Sequence, residues 1–328
     1  MLSAYYDCTC DSHSLFDDKK ISKCSSYEKH LNKYNVINLD ITDFISEAKA
    51  DGRSLAEVPK MITKSLRSEL RHLDSKLSAR KSLNAELMRY VDELNGKKFI
   101  FIIDEWDAMI REAKDEPDAQ EAYLNMLRGW FKSNNFTPKV VAAAYMTGIL
   151  PIKKDGRESA ISDFNEYPIL EPGEFAEFTG FLEDEVQVKC QEHGLDYQEV
   201  KVWYDGYDFP NIGAIYNPYS VMKAMEKKKC QSYWTQTTAV ESLKSYINMN
   251  FDGLQETIAR LVSGEEIPVN VSGFQNDFET FNKADDVLTL LIHLGYLTYH
   301  TDNKTVRIPN NEVREEFQQL RQHRTKPA

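Results

Sequence analysis

The sequence has no run approaching the roughly 18 consecutive apolar residues that a membrane-spanning helix requires. No membrane helix is therefore expected. Its first residues, Met1-Leu2-Ser3-Ala4-Tyr5-Tyr6-Asp7, carry neither a basic n-region nor an apolar h-region, so no secretory signal is visible and cytoplasmic residence is the expectation. Cysteine is scarce and odd in number, with five at positions 8, 10, 24, 190 and 230. Cys8-Thr9-Cys10, with Cys24 and His13 or His30 nearby, lacks both the C-x₂₋₄-C knuckle and a matching second pair, so reduced, unlinked thiols are expected rather than zinc. An excess of basic charge is also missing. The net charge of −12 argues against a broadly nucleic-acid-coating surface, while leaving room for a local basic patch. What remains is ordinary for a soluble globular protein, 41% hydrophobic and 28% charged, and 328 residues favour two domains.

One stretch organises the chain: Lys97-Lys98-Phe99-Ile100-Phe101-Ile102-Ile103-Asp104-Glu105-Trp106-Asp107. Five large apolar residues that end abruptly in two carboxylates have the form of a strand buried on both faces, its carboxyl end opening into a crevice. Ligands bind at that end of an open α/β sheet. The order hhhhDE is the Walker B form, in which the Asp holds Mg²⁺ through water and the next carboxylate orients an attacking water. Asp104 and Glu105 occupy those places. A buried strand that merely ends in surface polar residues has the same pattern.

Around this stretch the first half alternates strand and helix. Val36, Ile37 and Leu39 cluster ahead of Asp40 as a second core strand, and Asp40 itself reads as structural. Apolar residues recur at helical spacing from 54 to 94, for instance Leu66, Leu70, Leu73, Leu77 and Leu83, Leu87, Val91, Leu94, with Asn95-Gly96 as the stop. A helix is expected over 119–133. The small apolar run from Lys139 to Gly148 predicts a third strand, ending in Thr147, whose hydroxyl is placed to face a nucleotide γ-phosphate. This pattern predicts a parallel α/β sheet with strand 99–103 central, flanked by the Ile37 and Ala142 strands.

The character changes at Glu171-Pro172-Gly173. No further buried strand is expected; helical segments are predicted over 174–193, 197–204 and 218–228. Between them, Trp203-Tyr204-Asp205-Gly206-Tyr207-Asp208-Phe209 and Tyr216-Asn217-Pro218 read as a tightly packed turn, with Asn217 capping a helix and Pro218 at its first position. A helix over 283–294 is followed by two short alternating stretches, 296–300 and 305–308, joined by Asp302-Asn303-Lys304. Helix then hairpin is a winged-helix shape. The acidic start of that helix, with Asp285 and Asp286, suits packing better than phosphate.

Ile102-Ile103-Asp104-Glu105-Trp106-Asp107, Thr147-Gly148-Ile149, Tyr204-Asp205-Gly206-Tyr207, Phe209, Tyr216-Asn217-Pro218, Ser220-Val221 and Tyr233-Trp234 together resemble the predicted AAA-ATPase-like family of prokaryotes, which is often fused to a C-terminal PD-(D/E)XK nuclease-like domain. The resemblance implies an AAA/P-loop NTPase-like parallel sheet core over residues 1–170, a helical lid over 171–270 and a winged-helix-like end over 271–328. It also implies ATP and Mg²⁺, with Asp104 as metal ligand, Asp104 and Thr147 at the nucleotide, and Glu105 catalytic.

Two departures accompany the match. No Gly-x₄-Gly-Lys-Ser/Thr occurs in the chain: Gly96-Lys97 is followed by Lys98, and Gly52-Arg53-Ser54 has Arg in place of Lys. Met1 to Asp7 resembles the segment that follows the phosphate loop in family members. The loop is thus expected upstream of residue 1, leaving an incomplete sheet whose Ile100, Ile102 and Val141 edges face a gap. The nuclease-like domain is also expected to be absent, since the resemblance runs out near Ile308-Pro309-Asn310-Asn311-Glu312-Val313-Arg314. Two E-x-K triplets, Glu47-Ala48-Lys49 and Glu112-Ala113-Lys114, lie in helix-like surroundings unsuited to a nuclease site, which needs E-x-K on a strand beside an Asp. Three functions follow as expectations: an ATPase fold with little activity unless a phosphate loop is supplied, an inactive module binding a protein partner or its own copies, and a DNA-associated regulator using the winged-helix-like end.

Overall fold

The computed structural model describes residues 1–73, 82–149, 163–209, 212–234, 251–272 and 283–322. Two compact units divide the chain, residues 1–149 with 154–165 and residues 150–153 with 166–328.

The first unit begins with three short helices, α1 (Leu2–Tyr6), α2 (His13–Phe16) and α3 (Tyr27–His30), closed around Tyr5, Phe16, Tyr27 and Leu31. Strand β1 (Asn35–Asp40) follows, and Asp40 then caps α4 (Ile41–Ala50) by accepting from the Thr42 amide at 2.9 Å. Asp40 thus ends a strand and starts a helix, the structural role read from the sequence. Helix α5 (Val58–Leu73) carries Ile62, Leu66 and Leu70 on its buried face. Leu77 of the same repeat lies outside the described residues. Helix α6 (Leu83–Arg89) continues as a π-turn to Asn95, and Gly96, at φ +66°, ends it in a left-handed conformation that favours glycine.

Strand β2 (Phe99–Asp104) is central. It pairs in parallel with β1 on one side and with β3 (Val141–Met146) on the other, so Asn35 lies beside Phe99, Asp40 beside Asp104, and Ile103 beside Met146. The run predicted as a buried strand is one: Phe99, Ile100, Phe101 and Ile103 are buried. Helices α7 (Ala108–Glu112), α8 (Pro117–Phe131) and α9 (Thr137–Val140) lie between β2 and β3. Trp130 and Phe131 of α8 pack on Phe101, each with ring centroids 5.4 Å apart.

The expected gap beside Ile100 and Ile102 is not found. Both residues lie on a strand hydrogen-bonded on both sides, and the outer strand is β3, where Ala142, Ala143 and Tyr145 are exposed. The two E-x-K triplets sit on or at the end of helices α4 and α7, and Lys49 of one pairs with Glu112 of the other at 2.7 Å. An ion pair between helices replaces any shared metal site.

The second unit corrects the expectation of helices and turns without strands between residues 171 and 228. Residues 173–178 form a 3₁₀ turn, and helix α10 (Glu183–His193) begins only after strand β4 (Phe181–Leu182). Helix α11 (Tyr197–Tyr204) leads to β5 (Tyr207–Phe209) and β6 (Gly213–Tyr216), which with β4 make an antiparallel sheet in the order β4-β6-β5. Strands of two to four residues are too short for alternation to register in sequence. Helix α12 (Pro218–Lys227) is capped by Asn217, whose side chain accepts from the Tyr219 and Ser220 amides.

A second core in this unit gathers α13 (Leu254–Val262), β7 (Ile267–Pro268), α14 (Ala284–His293), β8 (Thr298–His300), β9 (Thr305–Arg307) and α15 (Asn311–Gln322), with the strands antiparallel in the order β7-β9-β8. Of α14, residues Val287, Leu288, Thr289, Leu290, Leu291 and Ile292 are all buried. The aromatic turn is anchored to this core: the Tyr207 hydroxyl donates to the Gly295 carbonyl at 2.6 Å, and the Asn310 amide donates to the Asp205 carbonyl at 2.9 Å.

His293, in the last turn of α14, has its pKa pushed down by burial to about 4. The folded state keeps the ring neutral, whereas the unfolded chain takes up a proton below its ordinary value of 6.5. Stability of this unit therefore falls as pH drops from about 6.5 toward 4. Allowing for the part of the ring that meets solvent, the loss is about 2 kcal/mol. Burial shifts Glu312 and Glu316 upward, an effect of opposite sign, so the His293 contribution is read as the difference between the parent and His293→Leu. Denaturant unfolding at pH 7 and pH 4.5 should show the parent losing more stability than the variant, and equal losses would contradict a neutral, half-buried His293.

Candidate functional site

At the carboxyl end of β2 the chain makes a tight turn into α7. Glu105 sits at φ +51°, a left-handed conformation unusual for a residue with a side chain, and such strain persists only where the surroundings hold it. Several bonds do so. The Thr147 amide donates to the Ile103 carbonyl at 2.9 Å, and the Trp106 amide donates to the Thr147 carbonyl at 2.9 Å. The end of β3 is thereby tied to the turn after β2. From the core side, the buried Tyr123 hydroxyl donates to the Trp106 carbonyl at 2.9 Å.

These bonds bring Asp104, Glu105 and Thr147 together. Asp104 is exposed; its Oδ1 accepts from the Thr147 hydroxyl and from the Glu105 amide, while Oδ2 makes no hydrogen bond among the described residues. Gly148 has a steric reason to follow Thr147. A Cβ there would lie 2.7 Å from Asp107 Oδ1 and 2.9 Å from the Trp106 ring.

Arg111 went unnoticed in the sequence. It stands one helical turn beyond Asp107, donates from Nε to Asp107 Oδ2 at 3.0 Å and from its second arm to Glu105. The i, i+4 spacing of Asp107 and Arg111 at the start of a helix was the available signal. Asp107 is buried and its Oδ1 accepts from the Ile149 amide at 3.3 Å. Burial raises the Glu105 pKa; Asp107, Asp104 and Asp40 raise it further, and Arg111 opposes them. Among the described residues, four carboxylates therefore converge here with one guanidinium among them.

Residues 1–157 match the family model described as Predicted AAA-ATPase, AAA-ATPase_like. Residues 1–157 are thus similar to that family. A bacterial relative, described as an uncharacterized protein in the vnfD 5'region of Azotobacter chroococcum mcd 1, is 23% identical over 154 residues, which cover 46% of this chain and 29% of the relative. The match thus spans less than a third of that relative. No solved structure matches the chain. Within the AAA-ATPase-like region lie all four acidic residues, Thr147 and Arg111. No helix among the described residues is long and apolar enough to cross a membrane.

Proposed function

We propose that the first unit is the Walker B half of an AAA-ATPase-like nucleotide site, with Asp104 holding Mg²⁺ through water, Thr147 facing the γ-phosphate, and Glu105 orienting the attacking water once ATP is held. The observation that carries this reading is the Thr147 hydroxyl bonded to Asp104 across the ends of adjacent parallel strands. Asp104 Oδ2 points to no other partner among the described residues, which suits a cation that takes one or two carboxylates and keeps most of its water. Mg²⁺ bound there would neutralise phosphate oxygens.

The triphosphate itself does not fit the residues given. Without Gly-x₄-Gly-Lys-Ser/Thr the chain offers no loop to supply the backbone N–H nest, the lysine and the second metal-binding hydroxyl. Four carboxylates would repel the phosphates. Calorimetry on the 328-residue chain is expected to show no micromolar affinity for Mg²⁺-ATP. The cation site is tested separately with Mn²⁺, which should selectively broaden the amide resonances of Glu105, Thr147 and Gly148, an effect lost in Asp104→Asn. Broadening that survives this substitution would remove Asp104 as the ligand. In a chain that also carries a phosphate loop, Glu105→Gln should keep ATP binding and abolish turnover.

The second unit is proposed as lid and winged-helix-like end. The β7-β9-β8 sheet with α13 and α14 supports the latter. Six consecutive buried residues on α14, together with acidic Asp285 and Asp286 in its first turn, favour packing over insertion into a DNA groove.

A further inference from the structure

Helix α5 is basic in an acidic chain. Along one side it carries Lys60, Lys64, Arg67 and Arg71, spaced three or four residues apart, against a net charge of −12 for the whole protein. Its one acidic residue, Glu69, stands two residues from both Arg67 and Arg71 and therefore projects to another side of the helix. Arg67 is committed to the buried Glu86, with contacts of 3.0 and 2.9 Å. Lys60, Lys64 and Arg71 are exposed and make no hydrogen bond or ion pair among the described residues.

These side chains do not stand on a convex face. Together with Ser68 they line one wall of a groove of about 650 Å³ whose other wall is α8, through Ala122, Asn125 and Met126. Among the described residues, the groove is lined by cations and neutral donors and no carboxylate. Its row of charges, from Lys60 to Arg71, runs for about 16 Å along the helix axis, too long for one phosphate group and suited to an anion of repeating charge.

We propose that the α5–α8 groove binds the phosphate backbone of a nucleic-acid strand, without reading its sequence. Two of the three unpaired cations are lysines, which are depleted at protein–protein interfaces and common at phosphates, and Ser and Asn are frequent phosphate donors. No aromatic ring among the described residues lines the groove, so they offer no platform on which bases would stack. Backbone contact alone remains. This site is independent of the nucleotide site proposed above and of the winged-helix-like region, and stands or falls without either.

Fluorescence anisotropy of the full chain with a labelled oligo(dT) single strand, and with a mixed-sequence duplex, tests it. Three phosphate contacts predict that binding weakens roughly 20- to 40-fold between about 50 and 200 mM salt. Lys60→Ala, Lys64→Ala and Arg71→Ala combined should weaken binding at low salt at least tenfold and flatten the salt dependence, with circular dichroism unchanged. A control of equal charge loss in the same unit, Lys19→Ala, Lys20→Ala and Lys23→Ala, should retain binding. Preference between single strand and duplex then identifies which form the groove accepts. The proposal is overturned if neither nucleic acid binds at low salt, if both triple variants lose affinity alike, or if a polyglutamate peptide binds as tightly as the oligonucleotide and shows the same loss.

Discussion

Gly206→Ala should lower the melting temperature of the second unit by about 10 °C, the equivalent of roughly 4 kcal/mol for a unit of this size. Gly206 has φ +115°, outside even the left-handed helical region that asparagine tolerates. A Cβ at this position would lie 2.1 Å from the Pro309 carbonyl oxygen and 2.7 Å from its carbon. Backbone, unlike the end of a side chain, cannot swing away, and the segment opposite is held by Asn310 bonded to Asp205 and by Tyr207 bonded to Gly295. Gly253→Ala separates the two contributions, because Gly253 also has positive φ, at +75°, but a Cβ there would meet no atom within 4 Å. That variant should cost only about 1 kcal/mol. Calorimetry that finds the two variants equal would mean that the turn does not approach Pro309 so closely.

The second large effect belongs to the carboxylate cluster. Arg111→Ala should destabilise the first unit by about 3 kcal/mol, since it strips the guanidinium from a buried Asp107 and leaves Glu105 beside Asp104 and Asp40. Breaking a buried pair costs more than the pair contributes, because the remaining charge stays out of water. Asp107→Asn in the Arg111→Ala background should therefore recover a substantial part of the loss, as the amide oxygen can still accept from Ile149. Arg111→Lys should fall between parent and alanine, restoring charge without the fork that reaches both carboxylates. Chemical denaturation of the four proteins measures this. If Asp107→Asn recovers nothing, the destabilisation is a packing effect and the electrostatic account fails.

Much of the first unit was legible in the sequence because its determinants are local and long. A five-residue apolar run ending in Asp104 and Glu105 has few alternatives to a central parallel strand, and the small apolar run before Thr147 extends the same logic. Asp40 and Asn217 were readable as caps or strand ends from residue type and position. Helices α4 and α7 were legible only as the helix-like surroundings of the two E-x-K triplets, without bounds, since ten and five residues are short for periodicity to fix their ends. Strands β4, β5 and β6 were missed because two to four residues give period-two alternation nothing to act on.

By itself, the sequence determined the parallel α/β core and the three residues at its carboxyl end, since apolar runs and the carboxylates that stop them are written in consecutive positions. It also determined that no Gly-Lys-Ser/Thr phosphate loop lies within these 328 residues. Only the tertiary structure decided that Thr147 donates to Asp104, that Arg111 joins Glu105 to Asp107, that Gly206 lies against Pro309, and that the cations of α5 line a groove with α8. Three of these four join residues more than ten positions apart in the chain, where no local propensity acts and the packing of whole elements sets which side chains meet.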